Sequence, residues 1–361
     1  MDSKKNVLVH DLMRKAIRLA GEGLQRVSPN PRTGAVIVRN NRVIGKGRHE
    51  YFGGPHAEVN AIRDAENGTK DAEMYVTLEP CCHTGKTPPC TDAIIRAGIR
   101  KVYVGMRDPN PLVAGKGIAA LRQAGIEVID NILPDACSDL NQPFIKKMTQ
   151  GFPYVIVKAA ITLDGYIADE QQQSKWISSD TSRKKVHEMR AAADAVLVGI
   201  GTVLADDPEL TVRDTEGDNP MRIVFDPEGV LPVTSRLVRG AGEIPLCVIT
   251  RPSASDAWKI RMEKNKVELI IANDAVSGGL TEGLRQLGER EVQSVLAEGG
   301  GKLHGLLAKQ GVIDRLELFI APKLLGEGVR MMKIPPRLMP DPAVFLSHSW
   351  QQSERICILR V

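Results

Sequence analysis

Three side chains separated by 25 and 9 positions, His56, Cys81 and Cys90, constrain this chain more than any hydrophobic periodicity does. An imidazole and two thiolates fill three positions of a tetrahedral zinc and leave the fourth for water, the arrangement of a catalytic site. Gly54-Pro55-His56-Ala57-Glu58 and Pro88-Pro89-Cys90 each precede a helix-like run, and Glu79-Pro80-Cys81-Cys82 follows a strand-like one. A ligand and a base at a helix start lie at the positive end of its dipole. Zinc lowers the pKa of its water to about 7, and a carboxylate two residues from a ligand takes and returns a proton as hydroxide attacks an amidine-like carbon. Glu58 holds that place. The alternatives are a closed structural zinc, with Cys82 or His83 as fourth ligand, and core thiols that never meet a metal. The eight residues between Cys81 and Cys90 exceed the two of the usual deaminase signature. The two prolines before Cys90 and the His-x-Glu element still favour a catalytic zinc with Glu58 as proton carrier.

A length of 361 residues accommodates two or three ordinary domains, and a 42% hydrophobic, 25% charged composition is that of a globular protein. With 48 basic against 44 acidic residues there is no strong field for nucleic acid or membrane. Six Phe, five Tyr and three Trp supply few stacking platforms for single strands. Neither partner is therefore expected. The first residues lack the apolar core of a signal peptide, and no apolar run approaches the roughly 18 residues of a membrane span, so a cytoplasmic location is expected. In a reduced compartment the six cysteines are ligands or core thiols, and Cys137, Cys247 and Cys357 receive no role.

Helical spacing over Val7 to Leu24 is followed by a turn-rich stretch and a hairpin, Ala35 to Val38 and Val43 to Gly45, about Asn40-Asn41. Helix, strand, helix, strand, helix and strand then alternate from His56 to Ile129, which predicts an α/β sheet with helices on its faces. A closing helix is predicted over Asp135 to Gln150, and Gly151-Phe152-Pro153 breaks it, so the domain boundary is set at residues 150 and 151. The second half opens with the strand Tyr154 to Ala160 and contains no Gly-x-Gly-x-x-Gly after a strand. It does contain a strand, a glycine-rich turn and a helix at Val295 to Leu303. Gly299, Gly300 and Gly301 would let backbone N–H groups approach a pyrophosphate, although a plain tight turn has the same composition.

Together these motifs resemble the bifunctional deaminase/reductase family of riboflavin biosynthesis. The first half carries His-Ala-Glu, Pro-Cys-x8-Cys and the turn Asp108-Pro109-Asn110-Pro111. The second carries Lys158 to Gly165, Ser174-Lys175-Trp176, Thr202 with Asp206 to Arg213, Phe225-Asp226, Glu298-Gly299-Gly300 and Ala321 to Gly326, in family order. The resemblance thins after about Gly328, where the family's longer loop is shortened. It implies a zinc-dependent cytidine-deaminase-like α/β/α domain over residues 1–150 and an NADPH-dependent dihydrofolate-reductase-like α/β domain over 151–361. The substrate implied is a small phosphoribosylated pyrimidine, and the assembly a homo-oligomer.

By matching position, Asn30, His49, Ala57, Lys86 and Thr87 would line the pyrimidine and phosphate side of the deaminase pocket. Ile161, Trp176, Thr202, Asp206 and Gly299 to Gly301 would face the dinucleotide. Ser174, Arg190, Leu210, Arg213 and Glu298 would face the reductase substrate. The chemistry agrees: an Asn amide suits a ring edge, a Lys charge and a Thr hydroxyl suit phosphate, and two Arg forks suit a phosphomonoester. Lys86 stands where the family often has Arg, so a two-pronged grip is lost there. Two other readings are a nucleic-acid base deaminase, opposed by charge and composition, and a zinc-stabilised binding module, opposed by Glu58.

Overall fold

The chain divides into two compact units, Met1–Gln150 and Gly151–Val361. The computed structural model describes residues 3–22, 25–174, 177, 179–273, 277–333, 347–351 and 356–360. Trp176 lies outside them.

In the first unit α1 (Ser3–Gly21) leads to the hairpin β1 (Gly34–Arg39) and β2 (Arg42–Arg48). Asn40 and Asn41 make its turn with φ of 50° and 60°, the left-handed pair that Asn tolerates and that matches strand twist in a two-residue loop. The alternation then runs α2 (Ala57–Asp64), β3 (Glu73–Leu78), α3 (Cys90–Arg96), β4 (Lys101–Met106), α4 (Lys116–Gln123) and β5 (Glu127–Ile129). The sheet order is β2-β1-β3-β4-β5, antiparallel about β1 and parallel from β3 to β5.

The central strands read as continuous apolar runs because both faces are covered. Ile37, Met74, Val76, Val102 and Val104 pack with Ala57, Ala61, Ile94 and Leu121. Val36, Val38, Tyr75 and Tyr103 pack on the other face with Met13, Ala16, Cys137 and Phe144. Helix α2 is pressed onto β2 so closely that a Cβ on Gly47 would overlap the Ala57 carbonyl oxygen. A glycine at that strand position is what allows the start of α2 to reach the sheet.

The closing helix expected over 135–150 is two helices, α5 (Pro134–Leu140) and α6 (Gln142–Gln150). Pro143 has no N–H for the helical ladder and its ring clashes with the carbonyl four residues back. Asn141 sits between the two with φ −118° and ψ 17°. Its buried amide grips Arg32 instead: Oδ1 accepts from the Arg32 N–H at 2.8 Å and Nδ2 donates to the Arg32 carbonyl at 2.9 Å.

The second unit begins with β6 (Tyr154–Thr162), β7 (Tyr166–Ala168), α7 (Asp180–Ala192), β8 (Ala195–Gly199) and α8 (Ile200–Asp206). It continues through β9 (Met221–Phe225), α9 (Arg236–Arg239), β10 (Leu246–Thr250), α10 (Asp256–Lys264), β11 (Glu268–Ile271) and α11 (Leu280–Glu289). Last come β12 (Ser294–Ala297), α12 (Gly301–Lys309), β13 (Arg315–Ala321), β14 (Val329–Arg330), β15 (Ser347–Gln351) and β16 (Ile356–Arg360). The nine-stranded sheet has the order β11-β10-β9-β8-β12-β6-β13-β16-β15, and β7 pairs with β14 apart from it. Its strands are parallel from β11 to β13, with β16 and β15 antiparallel. From β8 the chain steps outward through β9, β10 and β11, then returns to β12 on the other side of β8. That reversal puts a switch point at the carboxyl ends of β8 and β12, the position where open α/β sheets bind ligands.

Candidate active sites

His56 is the N-cap residue of α2, Cys81 follows β3 through Glu79-Pro80, and Cys90 begins α3. Their ligand atoms lie within 4.8 Å of one another. His56 Nδ1 is 3.6 Å from Cys81 Sγ and 3.2 Å from Cys90 Sγ, while its Nε2 is 3.4 Å from the Thr87 hydroxyl. A partner on the second nitrogen fixes the ring so that Nδ1 faces the thiols. The Cys90 N–H donates to Cys81 Sγ at 3.3 Å. Hydrogen bonding from Cys90 and His56 pulls the Cys81 thiol down to about 4, and the neighbouring Cys81 holds Cys90 up. A divalent cation would favour both as thiolates, and one imidazole with two thiolates is a zinc-type donor set. Among the described residues, neither Cys82 nor His83 joins the cluster.

Two of the three, His56 and Cys81, border a cavity of about 210 Å³ lined also by Asn30, His49, Glu58, Lys86 and Thr87. Glu58 is 4% exposed, and burial pushes its carboxyl up to about 7, against the pull of His56. A carboxyl poised there can both take and return a proton near neutrality. His49 Nδ1 lies 3.0 Å from the Pro55 carbonyl, which can only accept, so that nitrogen carries the proton. Its Nε2, 3.0 Å from Asn30 Nδ2, then accepts from the amide. Burial lowers the His49 pKa, in keeping with a neutral ring. Ala57 does not line the cavity: its methyl group lies in the core, leaving only its backbone for a ligand.

Further lining residues were not singled out as site residues in the sequence. Asp108 and Asn110 belong to a turn that sequence reading treated only as a family marker. Burial raises the Asp108 carboxyl to about 6, and the Asn110 N–H donates to it at 2.8 Å. Buried Glu79 accepts from the N–H groups of Asp108, Gly115 and Ile118 at 3.3, 2.9 and 3.1 Å, which ties the turn carrying Cys81 to the start of α4. Phe52 and Phe144 complete the apolar part of the wall.

In the second unit the Thr202 hydroxyl of α8 accepts from the Gly300 N–H at 3.2 Å, joining the segments that follow β8 and β12. The three loop glycines have different reasons to be glycine. A Cβ on Gly299 would stand 2.6 Å from Leu303 Cδ2, and one on Gly301 would overlap the carbonyl oxygen of Arg330, which crosses the start of α12. On Gly300 it would meet nothing nearer than the Thr202 hydroxyl at 3.7 Å. Close packing thus accounts for glycine at 299 and 301, whereas at 300 a side chain would find room. Gly301→Ala is expected to lower the stability of this unit by about 1–3 kcal/mol, the range for overpacking, and Gly300→Ala to leave it unchanged; chemical denaturation distinguishes them.

Glu298, just beyond β12, is 7% exposed at its side chain and Arg190 of α7 12%. Arg190 donates from Nε at 2.6 Å and Nη2 at 3.0 Å to the two Glu298 oxygens, and from Nη1 to the Thr211 carbonyl at 2.8 Å. Lys158 Nζ is 3.8 Å from Glu298 Oε2. Burial raises the Glu298 carboxyl, but Arg190 and Lys158 together overcome that and hold it below the usual range. The same burial lowers the Lys158 ammonium. Every nitrogen of the Arg190 fork thus already donates to the protein, whereas half-exposed Arg213 uses only Nη1, on Glu209 and Thr211. Leu210 is buried with φ 57°, Ile161 is buried at the end of β6, Ser174 is half-buried, and Asp206 is exposed at the end of α8.

Both units have counterparts in known proteins. A riboflavin biosynthesis protein RibD from Aquifex aeolicus is 44% identical over 318 residues, 88% of this chain and 88% of that protein. The chain belongs to the RibD family. The Escherichia coli RibD is 39% identical over 90% of this chain and 91% of its own length. The family model for the cytidine and deoxycytidylate deaminase zinc-binding region matches residues 8–106, and that for the RibD C-terminal domain matches 153–358. A Thermotoga maritima diaminohydroxyphosphoribosylaminopyrimidine deaminase/5-amino-6-(5-phosphoribosylamino)uracil reductase superimposes with a TM-score of 0.85 at 40% identity, covering 99% of both chains. An Acinetobacter baumannii RibD gives 0.87 at 36% identity over 98% of both. The chain is accordingly a bifunctional deaminase/reductase of the RibD type, with a cytidine-deaminase-like fold followed by a dihydrofolate-reductase-like one. No helix among the described residues is long and apolar enough to cross a membrane.

Proposed function

We propose that the first unit deaminates 2,5-diamino-6-(5-phosphoribosylamino)pyrimidin-4(3H)-one and that the second reduces the ribosyl chain of the product to ribityl with NADPH. The observation that carries the first half is the cluster of His56, Cys81 and Cys90, two of which line a cavity shared with buried Glu58. Zinc held by those three would supply an activated water. Glu58 moves the proton from that water toward the departing amine, and Asn30, ordered by His49, addresses the ring edge. Lys86 and Thr87 serve the phosphate end, Thr87 also steadying His56.

In the second unit the switch point at Thr202 and Gly300, with Ile161, Asp206, Gly299, Gly301 and Trp176, takes the dinucleotide. Ser174, Arg190, Leu210, Arg213 and Glu298 take the substrate. Arg213 is the better phosphate ligand, since Arg190 is occupied with Glu298. Lys158, its ammonium weakened by burial, is the best-placed proton source for the ring-opened imine. A cytoplasmic homo-oligomer without nucleic-acid or membrane partners completes the reading, and the formal charge of only +4 supports the last part.

The purified chain should hold one zinc and release ammonia from the diaminopyrimidine; full deaminase activity in zinc-free protein would refute the assignment. Cys81→Ser should lose the metal and destabilise the first unit together, because ligand binding is linked to folding. NADPH oxidation should require the deaminated product.

A further inference from the structure

Among the described residues, Lys86 is the only Lys or Arg lining the deaminase cavity. No ion pair with a carboxylate is found for it among the described residues. Its ammonium lies instead over the ring of Phe52, 3.7 Å from the centroid. Phe52 borders the same cavity, and its backbone N–H is anchored on the Arg26 carbonyl at 2.8 Å. A phenylalanine 40% exposed on a loop gains little from burial where it stands. A lysine is a point charge on a flexible four-carbon stem and, unlike arginine, brings no planar fork to fix its own direction. An aromatic face beneath the ammonium supplies what the stem lacks, because the ring quadrupole attracts the cation and narrows its range before any anion arrives.

We propose that Phe52 is a positioning residue of the deaminase: its ring face holds the Lys86 ammonium at the cavity where the substrate phosphate binds. The inference rests on the reading of Lys86 as the phosphate partner and adds the residue that acts through it.

The test uses the full zinc-loaded chain and two substrates, the phosphoribosylaminopyrimidine and the same compound without its phosphate. Phe52→Leu should raise KM for the phosphorylated substrate about 2–5-fold, the equivalent of one exposed cation–π contact, with kcat within about twofold. Phe52→Tyr should restore KM, since its ring offers the same face. Against the phosphate-free compound, or in a Lys86→Met background, Phe52→Leu should change nothing. An unchanged KM in Phe52→Leu, or an equal rise in the Lys86→Met background, overturns the proposal. Should Lys86→Met itself affect both substrates equally, the phosphate reading of Lys86 falls first, and that result is separate from any effect of Phe52. Unfolding midpoints confirm that each variant is folded.

Discussion

Glu58→Gln is expected to lower deaminase turnover by about 10²–10⁴-fold while the chain keeps its zinc. The amide has nearly the shape of the carboxylate but cannot accept the proton released when water attacks. Glu58 contributes no atom to the metal cluster, so the ligands should stay in place. The residue is 4% exposed, and burial lifts its carboxyl to about 7, close to where it can both take and return a proton. Metal analysis and ammonia release measured on the same preparation check both halves, and reductase turnover on deaminated product serves as the internal control. A Glu58→Gln protein that deaminates at the wild-type rate would remove this residue from the mechanism.

The second large effect belongs to the buried ion pair of the reductase. Arg190→Met should destabilise the second unit by about 3–5 kcal/mol, because removing one partner leaves a carboxylate in the interior without its two strongest donors. Lys158, 3.8 Å from Glu298 Oε2, compensates in part, which places the expected loss toward the lower end. The variant also leaves the Thr211 carbonyl with His187 Nδ1, at 3.1 Å, in place of two partners and loosens the segment that carries Leu210 and Arg213, so NADPH oxidation should fall with stability. Denaturant unfolding gives the first quantity and product-dependent NADPH oxidation the second. A midpoint equal to that of the wild type would mean that the pair is not formed in solution.

Metal chemistry accepts few residue types, which is why His56, Cys81, Cys90 and Glu58 stand out in an unaligned sequence. The central strands were legible for a related reason: a stretch such as Ala-Val-Ile-Val at 35–38 has to be covered on both faces. Pairings between distant segments leave no such trace. Arg190 and Glu298 are 108 residues apart, and Asn141 and Arg32 are 109 apart, and in each case either residue alone reads as an ordinary polar side chain. The packing demand at Gly301 is hidden for the same reason, since the carbonyl that forbids its Cβ arrives from Arg330. The break at Asn141 was legible in principle, through Pro143, but helical spacing on either side of it masked the signal.

That break also bears on where a working deaminase fragment can end. The zinc-binding family model stops at residue 106, and the five-stranded sheet is finished at Ile129. A fragment cut there would retain every metal ligand and Glu58 and still lack two pieces of the site. Asn141 clamps the backbone of Arg32, two residues from Asn30, and Phe144 forms part of the cavity wall. A deaminase fragment therefore has to run through α6, whose sequence carries none of the chemistry, to keep the whole site.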